Sequence, residues 1–421
     1  MQLNISRSMA RSPRLEYCVM AALLPFLLLP TICSGHTIYY VKPTHDALCP
    51  VSPCLTLSEY AQQPHNYLIS NNTLVLLPGD HVLNEDFVVE NVSNFGIYAQ
   101  LYSPTHGHAA CKITCMGLVG FTFRNTSNVT VHGLTFTSCG NDAISNHECT
   151  QYLTTYYGMS IVLGKNMKIT NFTFQDSVGT ALGVFYSTLN LEGSNSFINN
   201  CRGCSSRNQT CTCLGGGIFT NMSTLIIAGS ITFTDNVAEF GGGISTWNSI
   251  IQYTGNSTFR DNIAVYGGGI YAVNSTLNFT GNNTFGNNLA KYGGGINAWY
   301  STLSFIGNHT FTKNSAGDGG GIIVWYSTMS FNGNHTFRNN SAANGGGIYA
   351  NNSTLNFTGN NTLRKNSALY GGGIHVLNSD LNFIGSSAFR NNLAKGFGGG
   401  IHARYSTLHF TGKDTFRDNV A

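Results

Sequence analysis

Charged residues are scarce in this chain of 421 residues, since Asp, Glu, Lys and Arg together make up 9% of it. The formal net charge is only +3, and beyond the first 35 residues 18 Lys and Arg balance 17 Asp and Glu. The sequence contains no run of basic residues, which a nucleic acid or an anionic membrane would favour. We therefore expect neither as the main partner, and we expect Asn, Ser and Thr to keep the surface soluble.

Long apolar runs are also rare. A single one, from Val19 to Ile32, follows three arginines and precedes three small residues. This is the pattern of a secretory signal peptide, which we predict for residues 1–35. The competing interpretation, a membrane anchor, needs about 20 apolar residues, and this run is shorter and contains two prolines. We expect no membrane insertion in the mature chain, and a secreted or cell-surface location (outer membrane or extracellular in a bacterium).

Cysteine is absent beyond Cys213, and the ten cysteines that follow the predicted leader lie between Cys49 and Cys213. An even number in a secreted protein points to disulfide bonds. Cys201, Cys204, Cys211 and Cys213 match the ligand count of zinc, but a Cys-x-Cys spacing is unusual for structural zinc and the compartment is oxidising. We interpret these four as a disulfide-stapled loop and predict neither a metal nor another cofactor. The disulfide candidates are Cys49, Cys54, Cys111, Cys115, Cys139, Cys149, Cys201, Cys204, Cys211 and Cys213.

The second half of the chain repeats one unit that opens with Gly-Gly-Gly-Ile. The triplets are spaced by 26 residues, with one extra residue near Gly396, and begin at Gly215, Gly241, Gly267, Gly293, Gly319, Gly345, Gly371 and Gly398. A period of this length indicates one stacked structural unit per repeat. Apolar residues alternate with polar ones in short runs, which is the periodicity of strands. Three short strands per repeat predict an all-β fold, a right-handed parallel β-helix solenoid with about 26 residues per coil.

Three registers of the repeat predict columns of stacked side chains. Isoleucines form the first inward column, at Ile218, Ile244, Ile270, Ile296, Ile322, Ile348, Ile374 and Ile401. Aromatic rings form the second, at Phe233, Phe259, Phe285, Phe311, Phe337, Phe389 and Phe416, with Leu363 in one coil. Asparagines form the third, where amides hydrogen-bond to their images in adjacent coils, at Asn236, Asn262, Asn288, Asn314, Asn340, Asn366, Asn392 and Asn419.

The glycine tetrapeptide followed by Phe-x-x-Asn, as in Phe233–Asn236, resembles the repeat of the chlamydial polymorphic outer membrane proteins. The chain departs from that family in having Gly-Gly-Gly-Ile where the family usually has Gly-Gly-Ala-Ile. The resemblance covers residues 215–421 and implies a surface-exposed, adhesin-like role, with the stack carried by an outer-membrane barrel in that family. The chain ends at Ala421 inside a repeat, although a stacked array needs a cap. We therefore expect a fragment, and an anchor beyond Ala421 stays open.

Residues 36–150 are less regular and carry Leu-Leu-Pro-Gly-Asp-His at residues 76–81. This pattern resembles the first coils of pectin-lyase-like β-helix proteins. The resemblance implies that this region, with a short helix near Leu57 to Gln62, closes the amino-terminal end of the apolar stack. We divide the chain into a signal peptide (1–35), a disulfide-bearing capping region with the first irregular coils (36–150), degenerate coils with a Cys-rich loop (151–214) and eight regular repeats, the last incomplete (215–421).

Sequons for N-glycosylation are frequent after the leader, and several recur at one register of the repeat. Glycans one strand spacing apart would collide, so the polar ladders of stacked coils also explain these residues. We expect partial occupancy in a eukaryotic secretory pathway and none of significance in a bacterium. The candidates include Asn71, Asn91, Asn125, Asn171, Asn208, Asn221 and Asn256.

Catalytic carboxylates are sparse. Glycosidic cleavage needs an acid and a base or nucleophile, and the best fragment here, Asp142 with His147 nearby, is faintly similar to a polygalacturonase motif but has one carboxylate where two are expected. A lone Asp of this kind is more often a turn residue. Asp235 and Asp261 share a register, but Asn and Lys replace them in later coils. We assign the histidines to different registers of the repeat and therefore predict no histidine ladder that could bind a metal. These histidines are His132, His309, His335, His375, His402 and His409.

Outward aromatic residues form a further pattern. Trp299 and Trp325 share one register, and Tyr300 and Tyr326 share the next, a strip of the kind that stacks on sugar rings. Packing between coils is the competing interpretation. The sequence predicts a non-catalytic extracellular or cell-surface β-helix for adhesion or for recognition of a protein or glycan ligand. A polysaccharide lyase or glycoside hydrolase of the pectin-lyase-like fold is the alternative, and a structural matrix protein is the third hypothesis.

Overall fold

The computed structural model describes residues 37–43, 52, 54–100, 111–116, 120–140, 157–201 and 213–421. Outside these ranges lie the predicted signal peptide and seven predicted site residues, namely Cys49, Asp142, His147, Cys149, Cys204, Asn208 and Cys211.

One regular coil shows how the chain winds. The coil that starts at Gly267 contains four strands, Ile270–Val273, Thr276–Phe279, Thr284–Gly286 and Leu289–Tyr292. The first three were expected from the sequence. The fourth has only a small inward residue, Ala290, between exposed neighbours, so it gives no alternation of large apolar and polar residues. A left-handed glycine, Gly293 at φ +70°, then turns the chain into the next coil, because glycine has no Cβ to clash there.

The first strand of each coil joins a parallel sheet of twelve strands in the described part of the chain, and we call it the Ile sheet. Its strands are Phe87–Glu90, Phe121–Arg124, Tyr157–Val162, Thr180–Phe185, Ile218–Asn221, Ile244–Trp247, Ile270–Val273, Ile296–Trp299, Ile322–Trp325, Ile348–Asn351, Ile374–Leu377 and Ile401–Arg404. The sequential pairing of these strands establishes a parallel β-helix of about twelve turns with a coil period of 26 residues in the regular part.

The second and third strands of the coils form the other walls, which we call the Phe sheet; it has 25 strands among the described residues. They are Thr37–Lys42, Cys54–Thr56, Asn72–Leu76, Gly79–Leu83, Gly96–Ala99, Cys111–Cys115, Thr130–His132, Leu134–Thr137, Met167–Thr170, Thr173–Gln175, Thr188–Ile198, Thr224–Thr234, Ile250–Tyr253, Ser257–Arg260, Thr276–Phe279, Thr284–Gly286, Thr302–Gly307, Thr310–Thr312, Thr328–Arg338, Thr354–Phe357, Asn360–Arg364, Asp380–Phe383, Ser386–Arg390, Thr407–Phe410 and Thr415–Arg417. The fourth strands form two small sheets, Val237–Phe240 with Ile263–Tyr266 and Leu289–Tyr292, and Ser367–Tyr370 with Leu393–Phe397. In the last of these, the extra residue near Gly396 is absorbed as a shift in register.

The predicted columns lie inside the helix. The isoleucines from Ile218 to Ile374 are fully buried, and so is the phenylalanine column from Phe233 to Phe389, including Leu363. Adjacent rings stack almost parallel, as Phe259 and Phe285 do with centroids 4.7 Å apart. Only in the final coil does Phe416 remain exposed, because the described chain places no further coil over it. Burial of these two columns contributes to the apolar driving force of the stack.

The predicted amide ladder is confirmed. Asn262 donates through Nδ2 to Oδ1 of Asn288 at 3.0 Å and to the carbonyl of Phe233 at 3.0 Å. Its own Oδ1 accepts the backbone and side-chain N–H groups of Asn236. Every polar atom of this buried side chain is therefore paired, and the same arrangement repeats up to Asn392.

A short helix closes the amino-terminal end. It spans Leu57–Gln62, as the resemblance implied, and a second helix follows at Pro64–Tyr67. Thr56 and Glu59 form a reciprocal capping box at its start, which satisfies free backbone N–H groups. Leu57 and Tyr60 are buried in the main apolar core, so the helix covers the first coil.

Two predictions about side-chain chemistry need correction. The histidines do not all lie in different registers, because His309 and His335 stack with ring centroids 5.1 Å apart and His375 pairs directly with His402. Cys111 was a disulfide candidate, but it carries a free and buried thiol, since the neighbouring Cys115 binds a different partner.

Disulfides join Cys115 to Cys139 and Cys201 to Cys213. The first links two Phe-sheet regions 24 residues apart, and the second closes the base of the predicted Cys-rich loop. Cys54 is also disulfide-bonded. Within the residues that the structure describes, no helix is long and apolar enough to span a membrane, and no group of three or more His, Cys, Asp or Glu forms a metal site.

Candidate functional site

The outer side of the Ile sheet carries the predicted aromatic strip. In each strand Ile and Ala face the core, so the last residue points outward. Trp247, Trp299 and Trp325 occupy this last position, with Val273 between the first two. These are the three tryptophans of the whole chain, and all are partly exposed. The strand period therefore collects every indole of the protein in one outer register.

Two of these rings form a continuous surface with the neighbouring tyrosines. Trp299 and Trp325 stack with centroids 5.1 Å apart and planes 8° apart. Tyr300 and Tyr326 stack beside them at 5.0 Å and 9°, and they remain 57% and 48% exposed. The stacking between coils, which was the competing interpretation of these residues, is thus present, yet the two tyrosines stay exposed and the two tryptophans stay partly exposed. We call these four residues the aromatic strip.

A second aromatic cluster lies on the same face and was not predicted. Phe240, Tyr266 and Tyr292 stack on one another in the strand that precedes each glycine triplet. Trp247 and Tyr271 pack against Phe240. The sequence signal for this second cluster is an aromatic residue directly before Gly241, Gly267 and Gly293.

Three titratable groups on this face, Tyr271, Tyr349 and His375, have pKa values that favour their uncharged forms at neutral pH. Burial, and then repulsion from Tyr266, raises the pKa of Tyr271 to about 12. Burial also raises the pKa of Tyr349, assisted by the charge of Asp318. Burial lowers the pKa of His375 to about 4, assisted by His402. These three side chains therefore present neutral rings, two of them with hydroxyl groups, which suit the apolar faces and hydroxyls of a sugar better than an ion.

Two carboxylates border the face, Glu239 and Asp318. Burial raises the pKa of Glu239, and Asp318 accepts a 2.6 Å hydrogen bond from Asn344. Phe240, the neighbour of Glu239, lies three strand steps from Asp318, which corresponds to about 14 Å along the axis. Paired carboxylates of glycosidases lie about 5 to 9.5 Å apart, so these two do not form such a pair.

Asp235 and Asp261, the carboxylates that share a register in the sequence, lie in turns between strands. Asp261 forms an ion pair with Arg260 at 2.8 Å and accepts a hydrogen bond from Asn287. Asp235 occupies the same register one coil earlier and is exposed. The structure thus gives Asp261 partners within the turn and no contact with the aromatic strip.

The described glycosylation candidates lie on outer turns. Asn71, Asn91, Asn125, Asn171 and Asn256 are exposed and Asn221 is half-buried. Several also bridge coils: Asn125 donates to Asn91 at 2.6 Å, and Asn256 accepts the backbone N–H of Asn282 at 3.0 Å. Polar ladders therefore occur at these positions, and glycan occupancy stays a prediction.

No family model matches the chain, and no curated protein matches its sequence. Among solved structures, the surface adhesin PfbA of Streptococcus pneumoniae is 11% identical over 83% of this chain and 86% of its own, with a TM-score of 0.40. The mannuronan C-5 epimerase AlgE6 A-module of Azotobacter vinelandii is 10% identical over 87% and 93%, with a TM-score of 0.33. ORF18 of Geobacillus virus E2 is 11% identical over 74% of this chain and 54% of its own, with a TM-score of 0.34, so this chain spans about half of that protein. Similarities at this level do not assign a function to this chain.

Proposed function

We propose that the chain is a non-catalytic protein of the cell surface or extracellular space, which serves adhesion by recognising a carbohydrate on the aromatic strip. One observation carries the proposal: the three tryptophans share one outer register, and two of them form a stacked, accessible surface with Tyr300 and Tyr326. Aromatic rings contribute a large contact area at low entropic cost.

The rigidity of the support favours recognition. Trp299 and Trp325 are the last residues of regular strands, and Tyr300 and Tyr326 follow them in a repeated turn. Strands hold binding side chains in fixed positions. The neutral state of Tyr271, Tyr349 and His375 means that a neutral sugar meets no buried charge there.

The resemblance of the glycine and Phe-x-x-Asn motifs to the chlamydial polymorphic outer membrane proteins supports the same surface role. The predicted signal peptide supports export. The catalytic alternative depends on Asp142 and His147, which lie outside the described residues, whereas Glu239 and Asp318 are too far apart to act as a pair.

A glycan array tests the proposal. The full chain is expected to bind a subset of neutral or mildly polar glycans. Trp299→Ala with Trp325→Ala is expected to weaken that binding by about 100-fold, because truncation of one aromatic anchor typically costs more than about 1 kcal/mol. Tyr186→Ala is the matched control, since Tyr186 is an equally exposed tyrosine in a turn far from the strip. Recovery of the bound glycan with its mass unchanged supports a non-catalytic role. Binding that survives the double substitution, or cleavage of the glycan, overturns the proposal.

A further inference from the structure

A row of arginines lies on the outer side of the Phe sheet, on a different wall from the aromatic strip. Arg338, Arg364, Arg390 and Arg417 pair directly with one another across consecutive coils. Adjacent strands lie about 4.8 Å apart, so the four guanidinium groups emerge from a straight line at this spacing. We call these residues the arginine column.

The column is solvent-exposed and lies in the part of the chain that carries its net positive charge. All four arginines are exposed. Residues 310–421 contain nine Lys and Arg and four Asp, a net charge of +5, whereas the whole chain carries +3. The rest of the chain is therefore slightly negative. A basic surface exists here although the sequence has no basic run, because the coil period brings together arginines that are 26 or 27 residues apart.

The first three arginines of the column have no counter-charge in the part of the chain that the structure describes. Among the residues that the structure describes, no acidic side chain lies within ion-pair distance of Arg338, Arg364 or Arg390. Arg260 occupies the same register in an earlier coil, but Asp261 beside it forms an ion pair at 2.8 Å. The corresponding neighbours of the first three arginines are Asn339, Lys365 and Asn391, whereas Arg417 at the end of the column forms an ion pair with Asp418 at 3.2 Å. The sequence thus lacks the neutralising carboxylate beside three consecutive arginines.

The surroundings of the column fit a polyhydroxylated ligand. A shallow depression of about 410 Å³ lies on this surface, lined by Thr336, Thr362, Arg364, Lys365, Arg390 and Asn391. Its hydroxyl and amide groups complement sugar hydroxyls. The lining contains no aromatic ring, and single-stranded nucleic acids depend on aromatic stacking platforms.

We propose that the arginine column is a binding site for a linear polysaccharide that carries a regular row of anionic groups, either sulfate or carboxylate. Each planar guanidinium group can donate two parallel hydrogen bonds to such a group. The polymer lies along the axis of the helix, crosses several coils, and is held by Arg338, Arg364 and Arg390, with Lys365 and the threonines at its edge. This site is independent of the aromatic strip, so the two proposals can fail separately.

Binding of defined polymers to the full chain tests the proposal. Heparin supplies sulfate groups, a polyuronate supplies carboxylates alone, dextran is the neutral control, and single-stranded DNA is the competing class. The double substitution Arg364→Gln and Arg390→Gln is expected to weaken binding of heparin or polyuronate about 25-fold at low salt, roughly fivefold for each exposed charge. Binding of the wild type is expected to fall steeply as salt rises. Preference for heparin or for the polyuronate identifies the anionic group.

Three further variants test the site while all four arginines of the column are retained. Arg260→Gln removes an arginine that is already neutralised and is expected to leave the affinity unchanged. Asn391→Asp places a carboxylate beside Arg390, as Asp261 lies beside Arg260, and is expected to weaken binding about fivefold. Thr312→Arg extends the column by one coil, since Thr312 pairs with Arg338, and is expected to tighten binding about threefold.

The proposal is overturned if neither anionic polysaccharide binds, if Arg364→Gln with Arg390→Gln leaves their affinity unchanged, or if single-stranded DNA binds more tightly than both through the same arginines. Retention of heparin or polyuronate binding by the Trp299→Ala and Trp325→Ala variant is expected. Circular dichroism of each variant checks that the β-helix is intact.

Discussion

The side chains of Asn288 and Asn314 are joined across one coil by an amide hydrogen bond, in which Nδ2 of Asn288 donates to Oδ1 of Asn314 at 3.0 Å. The same Oδ1 also accepts the backbone N–H of Asn288 at 3.1 Å. One buried oxygen thus satisfies two donors of the preceding coil. The ladder holds the turn after the Phe column in register along the regular repeats.

Removal of one rung of this ladder is expected to destabilise the stack. Asn288→Ala leaves the N–H groups of Asn262 without their acceptor, and each unsatisfied buried group costs about 1–3 kcal/mol. We expect a loss of about 3 kcal/mol or more in urea unfolding. Asn282→Ala is the control, because Asn282 is exposed, and a loss within about 0.5 kcal/mol is expected there. Equal effects of the two substitutions would contradict the structural role of the ladder.

The third glycine of each triplet is expected to tolerate no side chain. A Cβ on Gly295 would lie 2.6 Å from the carbonyl oxygen of Gly321 in the next coil, whereas a Cβ on Gly286 would meet no atom closer than 3.8 Å. Gly295→Ala is therefore expected to cost about 2 kcal/mol or more through overpacking, and Gly286→Ala to be neutral or stabilising. Thermal melting of both variants measures the difference, and an unchanged midpoint for Gly295→Ala would refute this close approach of the coils.

Stability is expected to fall in mild acid because of the buried histidine pair. Burial lowers the pKa of His309 to about 4 and that of His335 to about 3, the latter with the help of His309. The unfolded chain binds these protons near the ordinary pKa of 6.5, so the folded state loses stability as the pH falls below that value. The loss is on the order of 3 kcal/mol for each histidine at pH 4.

The matched variant for this effect comes from the chain itself. Asn283 and Asn361 occupy the register of the two histidines in the flanking coils. His309→Asn with His335→Asn is therefore expected to fold and to flatten the decline in stability between pH 6.5 and 4. Urea unfolding at several pH values measures it, and an unaltered pH profile would show that these histidines are not the cause.

The disulfide between Cys115 and Cys139 is expected to stabilise the first coils. It closes a segment with a sequence separation of 24 residues, for which loop entropy predicts about 3 kcal/mol. Cys139→Ala is expected to lower the unfolding free energy by this amount, while Cys111→Ala, which removes a free thiol, is expected to cost about 1 kcal/mol. Equal losses in both variants would argue against the bond.

The coil architecture was predictable because the repeat encodes it directly. A period of 26 residues places Ile270 over Ile244 and Asn288 over Asn262 once the spacing of strands is known. The short fourth strand was missed because Ala290 buries too little surface to mark a pattern. The partner of Cys115 was not predictable, because a sequence does not encode which cysteines meet in space.

The charged and aromatic surfaces were recognised only in part. The strip of Trp299 and Trp325 followed from the period. The spacing of the repeat also places Arg338, Arg364, Arg390 and Arg417 in one register. This column was not predicted, because the nearly neutral composition gave no sign of a basic surface. His375 and His402 were placed in different registers because the extra residue near Gly396 makes their spacing 27 instead of 26.

Tryptophan fluorescence during titration with a glycan identified on the array tests the recognition of carbohydrate most directly, because all three tryptophans of the chain lie in the one outer register of the Ile sheet. We predict that the emission shifts or is quenched with the same saturation curve as glycan binding, and that the change persists in Trp247→Phe. Glycan binding that leaves the tryptophan emission unchanged would place the ligand elsewhere and contradict the proposed function.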